Sequence, residues 1–488
     1  MKKTLFFLFI ICYSFLNITK ASSLFEVNQQ IIHFTNTGGV SFVKITMNGK
    51  QWTCSSNKEW CKISKKSSSN PIDQVAVIVS SNDNKNSRSA QLLFVMDSVD
   101  TLRVLILQTI RASMYPNYCV SIPPDSSKMQ SEAKQLASKI FAGWNLGNSL
   151  EVPENETKWG NPKTTQRLID AVKASGINAV RIPCAWDSYT EDEHTCKISK
   201  WWLNRVKEVV DYCYKNNMYV IINIHWDGGW LENNPTYDKQ ESVNDKQKAM
   251  WEQIATFFRD YDEHLLFAGT NEVHSNGQAT AENFEVEMSY NQTFIDAVRS
   301  TGGRNSFRNL IIQSFNTNID QAVSNLIVSK DEIPNRLMIE VHYYDPWDFC
   351  GLENDESWAT VKHLWGKDFA QYGAISSWGQ ENHVVTQFQK MKSTFVDKGY
   401  PVILGEYGAA RRSALSGKQL KYHLESRAHF FLYVAEQAKN FGIVPFIWDN
   451  GSGNNMGNGL FNRYDGTIID DQALKAYLMG ASAGKYPY

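Results

Sequence analysis

The chain lacks several signatures that would decide its class at once. Its 8 cysteines include no C-x-x-C pair and its 10 histidines no pair at ligand spacing, so no structural zinc site is written in it. A basic excess is missing as well. Lys and Arg number 49 against 51 Asp and Glu, a formal net charge of −2 without a basic block, and this excludes the electrostatic footprint of a nucleic-acid binder. Beyond the N-terminal segment, no stretch approaches the ~18 consecutive apolar residues of a membrane span. Internal repeats and low-complexity tracts are absent too.

What is present is apolar and aromatic. At 488 residues and 42% hydrophobic the chain can bury a sizeable core and is long enough for two domains. Its 15 Trp, 21 Tyr and 25 Phe exceed what packing alone requires. The charged start Met1-Lys2-Lys3, the apolar run Leu5–Leu16 and the small-residue site Thr19-Lys20-Ala21 predict a secretory signal peptide over residues 1–21. The mature protein is then secreted, periplasmic or cell-surface. Ile11 before Cys12 is too bulky for lipoprotein processing. Export permits a Cys54–Cys61 bridge, which the sequence leaves open.

Residues 24–111 carry short β-rich runs (Val40-Ser-Phe-Val-Lys-Ile, Val75-Ala-Val-Ile-Val, Gln91-Leu-Leu-Phe-Val, Leu102-Arg-Val-Leu-Ile-Leu) among turn residues such as Gly38-Gly39 and Asn48-Gly49. They predict a small all-β sandwich of Ig-like type. Gly38-Gly39, Trp52, Trp60-Cys61-Lys62-Ile63-Ser64, Asn82, Arg88 and the closing strand to Gln108 resemble the BACON domain. Trp52 and Trp60 are expected to pack the core rather than to bind sugar. Residues 112–128, rich in Pro and Ser, are expected as a linker.

From 129 to 486 apolar runs alternate with amphipathic stretches. Strands are expected at Phe141–Asn145, Ala179–Ile182, Tyr219–Ile224, Leu265–Gly269, Leu310–Gln313, Leu337–His342, Val402–Leu404 and Val444–Trp448. Helices are expected at Thr165–Ala174, Trp202–Lys215, Lys246–Arg259, Phe284–Ser300, Val384–Val396 and Leu424–Lys439. This alternation predicts an α/β fold, a (β/α)8 TIM barrel. A doubly wound sheet is set aside because no Gly-rich phosphate loop follows the first strand.

Barrel chemistry gathers at the C-terminal ends of strands. Those ends carry Arg181, Asn223-Ile-His225, Thr270-Asn271-Glu272, His342-Tyr-Tyr344, Gly405-Glu406-Tyr407 and Trp448-Asp449-Asn450. Any one of them alone reads as a cap neighbour or a packing residue; together they suggest a site. Two carboxylates across a barrel mouth suit acetal cleavage, one protonated as acid and the other ionised. Arg181 beside a carboxylate would keep it ionised.

This pattern resembles glycoside hydrolase family 5, through Asn271-Glu272, Gly405-Glu406-Tyr407-Gly408 and the matching Arg181, His225, His342, Tyr344 and Trp448. The resemblance implies a retaining enzyme with Glu272 as acid/base and Glu406 as nucleophile. It also implies a substrate-binding set of Asn145, Arg181, His225, Asn271, His342, Tyr344 and Trp448. Asn271 would contact the 2-hydroxyl, Tyr344 and Arg181 would orient the nucleophile, and Trp448 would floor the attacked sugar. Gly143-Trp-Asn-Leu-Gly-Asn148 and Trp159-Gly-Asn-Pro-Lys look like subfamily 4, which implies an endo-β-1,4-glucanase acting on cellulose derivatives, mixed-linkage glucan or xyloglucan. The sequence departs from the family pattern at Val273, where Pro is usual, and at Trp226, where a second His often stands. A monomer is expected, with a polysaccharide as its partner and neither cofactor nor metal. The rival readings are a β-mannanase with the same machinery, an inactive glycan-binding barrel, and a metal-dependent hydrolase using His225, His274 and His342. Gly143-Trp-Asn in place of His-x-His on the first strand argues against the last.

Overall fold

The computed structural model describes residues 24–34, 36, 38–82, 87–109 and 114–488. The expected signal peptide and Cys12 lie outside these residues. Two compact units emerge, one built from the strands up to Ile106 and the other from Leu107–Tyr488.

The first unit is a β-sandwich. One sheet orders Phe25–Val27, Gly39–Met47, Ile72–Val79 and Cys61–Ile63; the other orders Ile31–Phe34, Asp100–Gln108, Arg88–Met96, Trp52–Ser56 and Ser67–Ser68. Alternation makes the core: Val43, Ile45 and Met47 are buried while Phe42 and Lys44 face out. Trp52 is 0% exposed and tilts against Phe94 at 6.0 Å, so it packs the sandwich as the sequence suggests. Cys54 and Cys61 are both buried in this core.

The second unit is a closed barrel of eight parallel strands: β1 (Gly143–Asn145), β2 (Ala179–Ile182), β3 (Tyr219–Asn223), β4 (Leu265–Ala268), β5 (Leu310–Gln313), β6 (Leu337–Tyr343), β7 (Val402–Tyr407) and β8 (Ile443–Ile447). Each is followed by a helix: α1 (Gln166–Ala174), α2 (Lys200–Lys215), α3 (Tyr237–Phe257), α4 (Ala281–Ser300), α5 (Ile319–Asn325), α6 (Glu381–Thr394), α7 (Gly417–Asn440) and α8 (Asp471–Ala483). Capping starts several of them. The Thr165 side chain accepts from Leu168 N–H ahead of α1, and Thr280 forms a capping box with Asn283 ahead of α4.

Alternation along each strand builds two layers. Val180, Ile182, Val220, Ile222, Ile339 and Val341 pack outward in the large core shared with the helices. Ala179, Ile221, Leu266, Ile311, Met338, Ile403 and Phe446 form a separate inner cluster, joined from below by Ala133, Leu136, Ala137 and Ile140 of the short helix Ala133–Lys139 and the residue after it. Truncating one such side chain to Ala would cost ~2–5 kcal/mol.

The stretch expected as a linker is anchored to the barrel from Met114 onward. Met114 N–H donates to Asp245 at 2.7 Å, Tyr118 N–H to Glu252 at 2.9 Å, and the Tyr118 hydroxyl to Thr195 O at 2.9 Å. Ile122–Pro124 pairs in parallel with Gly302–Gly303. Among the described residues no helix is long and apolar enough to cross a membrane.

Candidate active site

The face of each strand that is apolar at the barrel floor turns polar at the C-terminal end. On β2 Ala179 is followed two residues on by Arg181, on β3 Ile221 by Asn223, and on β5 Ile311 by Gln313. On β6 Met338 is followed by Glu340 and then His342. Strict alternation would turn Glu406 of β7 outward with Leu404. A bulge prevents this: Val341 pairs with Leu404 but His342 pairs with Glu406, so Gly405 is an extra residue and Glu406 swings inward. Gly405 has no alternative side chain, because a Cβ there would stand 2.0 Å from Glu340 Oε1.

Arg181, fully buried, organises the layer. Its Nη1 donates to Glu406 Oε1 and to Asn145 Oδ1, both at 3.0 Å, and its Nη2 donates to Asn271 Oδ1 at 2.8 Å. Its Nε lies 2.9 Å from Glu340 Oε1. The Tyr344 hydroxyl donates to Glu406 Oε2 at 3.0 Å. His342 Nδ1 is 2.6 Å from Glu272 Oε1 and its Nε2 3.2 Å from Glu340 Oε1. Gln313 completes Glu340 with an amide donation at 2.7 Å. Carboxylate oxygens of Glu272 and Glu406 and a ring nitrogen of His342 lie within 4.8 Å of one another. The two carboxylates differ in access: the Glu272 side chain is 38% exposed and that of Glu406 8%.

Protonation follows from these contacts. Burial pulls His342 down, but Glu406, Glu272 and Glu340 around it lift it to about 10. Burial pushes Glu406 up, and the Glu272 charge adds to that push against His342, Arg181 and Tyr344, so the net shift is upward. Burial also pushes Glu272 up, but the hydrogen bond and charge of His342, with Arg181, turn its net shift downward. The group titrates as a unit. The 2.6 Å contact holds one proton, on the imidazole or on the Glu272 carboxyl, and either way Nε2–H can face Glu340. His225 is held neutral by burial and by the charges of Arg181 and His342. Asn223 Nδ2 meets His225 Nδ1 at 3.2 Å, leaving Nε2 as the N–H.

All nine residues picked out from the sequence lie at these strand ends. Trp448 is half-buried, with its ring parallel to His225 at 6.2 Å. Asn145 is fully buried and donates to Gly405 O at 2.8 Å and Ile447 O at 3.3 Å; its amide is used in holding Arg181 and the β7–β8 seam, not turned toward a ligand. His225 and His274 do not share the Glu272–His342–Glu406 grouping, so the three imidazoles weighed together as ligands do not converge among the described residues. Sequence reasoning passed over Glu340, Gln313 and the loop residue Glu232. The signal for Glu340 was its place two residues before His342 on one strand face; Glu232 had none.

Comparison with known proteins agrees with this architecture. The model of the family described as Cellulase (glycosyl hydrolase family 5) matches residues 145–454, and that of the Viral BACON domain matches residues 16–111. A xyloglucan-specific endo-beta-1,4-glucanase of Bacteroides ovatus is 36% identical over 502 residues, covering 98% of this chain and 96% of that protein. The solved structure of a Bacteroides ovatus GH5 xyloglucanase in complex with a XXXG heptasaccharide superposes with a TM-score of 0.73 at 34% identity, covering 94% of this chain and all of that one. A GH5-4 broad specificity endoglucanase from Clostridium acetobutylicum gives 0.63 at 30% identity over 72% of this chain and all of its own. With its barrel, its paired strand-end carboxylates and an N-terminal BACON sandwich, the chain belongs to glycosyl hydrolase family 5 and is a glycoside hydrolase.

Proposed function

We propose that this protein is an exported, monomeric endo-β-1,4-glucanase that cleaves glucan backbones by double displacement with retention, with xyloglucan as its foremost substrate. The observation that carries the mechanism is the approach of one carboxylate oxygen of Glu272 to one of Glu406 within 4.8 Å, which supports the close carboxyl pair (~5–5.5 Å) of retaining enzymes. The substrate reading draws on the relatives, several of them xyloglucanases or endoglucanases. Export draws on the leader at residues 1–21.

In the first step a Glu406 oxygen attacks the anomeric carbon while Glu272 gives its proton to the departing glycosidic oxygen. Bonds from Arg181 and Tyr344 favour the ionised form of Glu406 when that proton sits on Glu272. In the second step Glu272 takes a proton from water, the water oxygen attacks the same carbon, and the Glu406 ester breaks. Trp448 offers a ring face to the sugar and Asn271 an amide to its hydroxyl.

The test is product stereochemistry. On xyloglucan oligosaccharide the first product seen by NMR should be the β-anomer; an initial α-anomer overturns the mechanism. Glu406→Gln should abolish turnover while leaving oligosaccharide binding nearly intact. Glu272→Ala should keep its first step on an activated aryl glycoside and be rescued by azide in the second. Activity side by side on xyloglucan, mixed-linkage glucan, carboxymethylcellulose and glucomannan tests the substrate, and a preference for glucomannan would favour the mannanase.

A further inference from the structure

Glu232, in the loop between β3 and α3, is 4% exposed. Its carboxylate accepts from Trp226 N–H at 2.7 Å and lies beside the Asn271 amide and Glu272. Its carbonyl accepts from His274 N–H at 2.9 Å. The β4-end segment that carries Glu272 is therefore tied to the Glu232 backbone at His274 and lies against the buried acid at Asn271 and Glu272. The other side of the tie is strained. Trp226 and Asp227 hold φ of 22° and 48°, where non-glycine residues are rare, and Asp227 fixes them by accepting from Trp186 N–H at 2.6 Å and Ser188 Oγ at 2.9 Å. A loop clasp alone does not require a charge. Burying a carboxylate beside another carboxylate is costly, and the neighbour here is the group proposed to carry the catalytic proton.

We propose that Glu232 is a positioning residue for Glu272, fixing the peptide that carries the acid/base side chain and, as a buried negative charge beside it, favouring retention of the proton that Glu272 delivers. The proposal rests on reading Glu272 as the acid/base. The charges around that proton divide in two. His342, Arg181 and His274 favour the ionised carboxylate, while Glu406 and Glu232 oppose it. Burial first, and then the Glu272 charge, raise Glu232 to about 7, so its own negative charge grows as the solution turns alkaline and the acid most needs to keep its proton.

The experiment compares full-length Glu232→Gln and Glu232→Asp with wild type, following kcat/KM against pH on a β-glucan oligosaccharide and on an aryl glycoside with a good leaving group. Glu232→Gln should move the alkaline limb on the oligosaccharide about one pH unit toward acid and lower kcat/KM at neutral pH by about tenfold, with less than about a threefold loss on the aryl glycoside, whose departure needs no acid. Glu232→Asp, which keeps the charge and shortens the reach, should lose rate while leaving the limb in place. Equal losses on both substrates with an unmoved limb would reduce Glu232 to a loop clasp and overturn the proposal, as would wild-type behaviour in both variants. If Glu272→Ala fails to spare the aryl glycoside, the acid/base assignment falls first, and that result is separate from any measured on Glu232.

Discussion

Trp448 is the residue at which packing and proposed function can be told apart by experiment. It is half-buried, whereas Trp144 of β1 is fully buried and donates its indole N–H to Asp449 at 2.8 Å. A buried Trp lost to Ala costs ~3–5 kcal/mol. Trp448→Ala should instead move Tm little and lower kcat by about tenfold or more, exceeding any rise in KM, because stacking strengthens on the distorted ring. Steady-state kinetics with a thermal melt checks this; a large melting shift with unchanged kcat in the folded fraction returns Trp448 to the core. Glu272, Glu406, Arg181, His342 and Trp448 were legible in the sequence because each ends an apolar run in a distinctive dipeptide or tripeptide. Glu340 and Glu232 were not. One lies inside a strand that reads as core, and the other in a loop whose course depends on four successive residues at positive φ, Trp226 to Gly229, which no local pattern announces.

At the scale of elements, every barrel strand was legible, because continuous apolar runs bounded by turns are what buried parallel strands look like. The bulge in β7 was not, since it depends on pairing with β6 and β8. Its consequence can be measured. In Gly405→Ala the new Cβ meets Glu340 Oε1, which is fully buried and braced by Arg181. Relief requires the bulge or Arg181 to shift, and a displacement of an ångström at a reacting group costs about a hundredfold. Gly405→Ala should thus lose about that much in kcat and melt several degrees lower; wild-type kinetics would mean the bulge does not set the aim of Glu406. Helices were read less well than strands. α8 escaped notice because its buried face is largely small, with Gly480 so near α7 that a Cβ would stand 2.1 Å from Leu432 O. α3 starts at Tyr237 rather than at the expected Lys246; its first turns bury Gln240, which a hydrophobic pattern does not register.

At the scale of the whole molecule, composition and alternation separated the β-rich N-terminal region from the barrel region, but not where chemistry-bearing structure begins. A version starting at Met114 keeps the Asp245, Glu252 and Thr195 contacts and should retain wild-type turnover on soluble glucan. A version starting at Ser126 loses these and the pairing of Ile122–Pro124 with Gly302–Gly303, and should melt several degrees lower. Equal melting of the two would show that the anchored stretch adds nothing to the barrel. Closure of that barrel has its own consequence. The last seam joins β1 to β8, Gly143 to Phe446 and Trp144 to Ile447, and the Asn145 amide that steadies Arg181 reaches across it to Ile447 O. Contacts so distant in sequence are among the slowest to form. During refolding, helix content should therefore return before hydrolysis does: an open, partly wound chain would hold both carboxylates on formed strands yet lack the guanidinium alignment between them, and recovered turnover would time the moment at which the first and last strands meet.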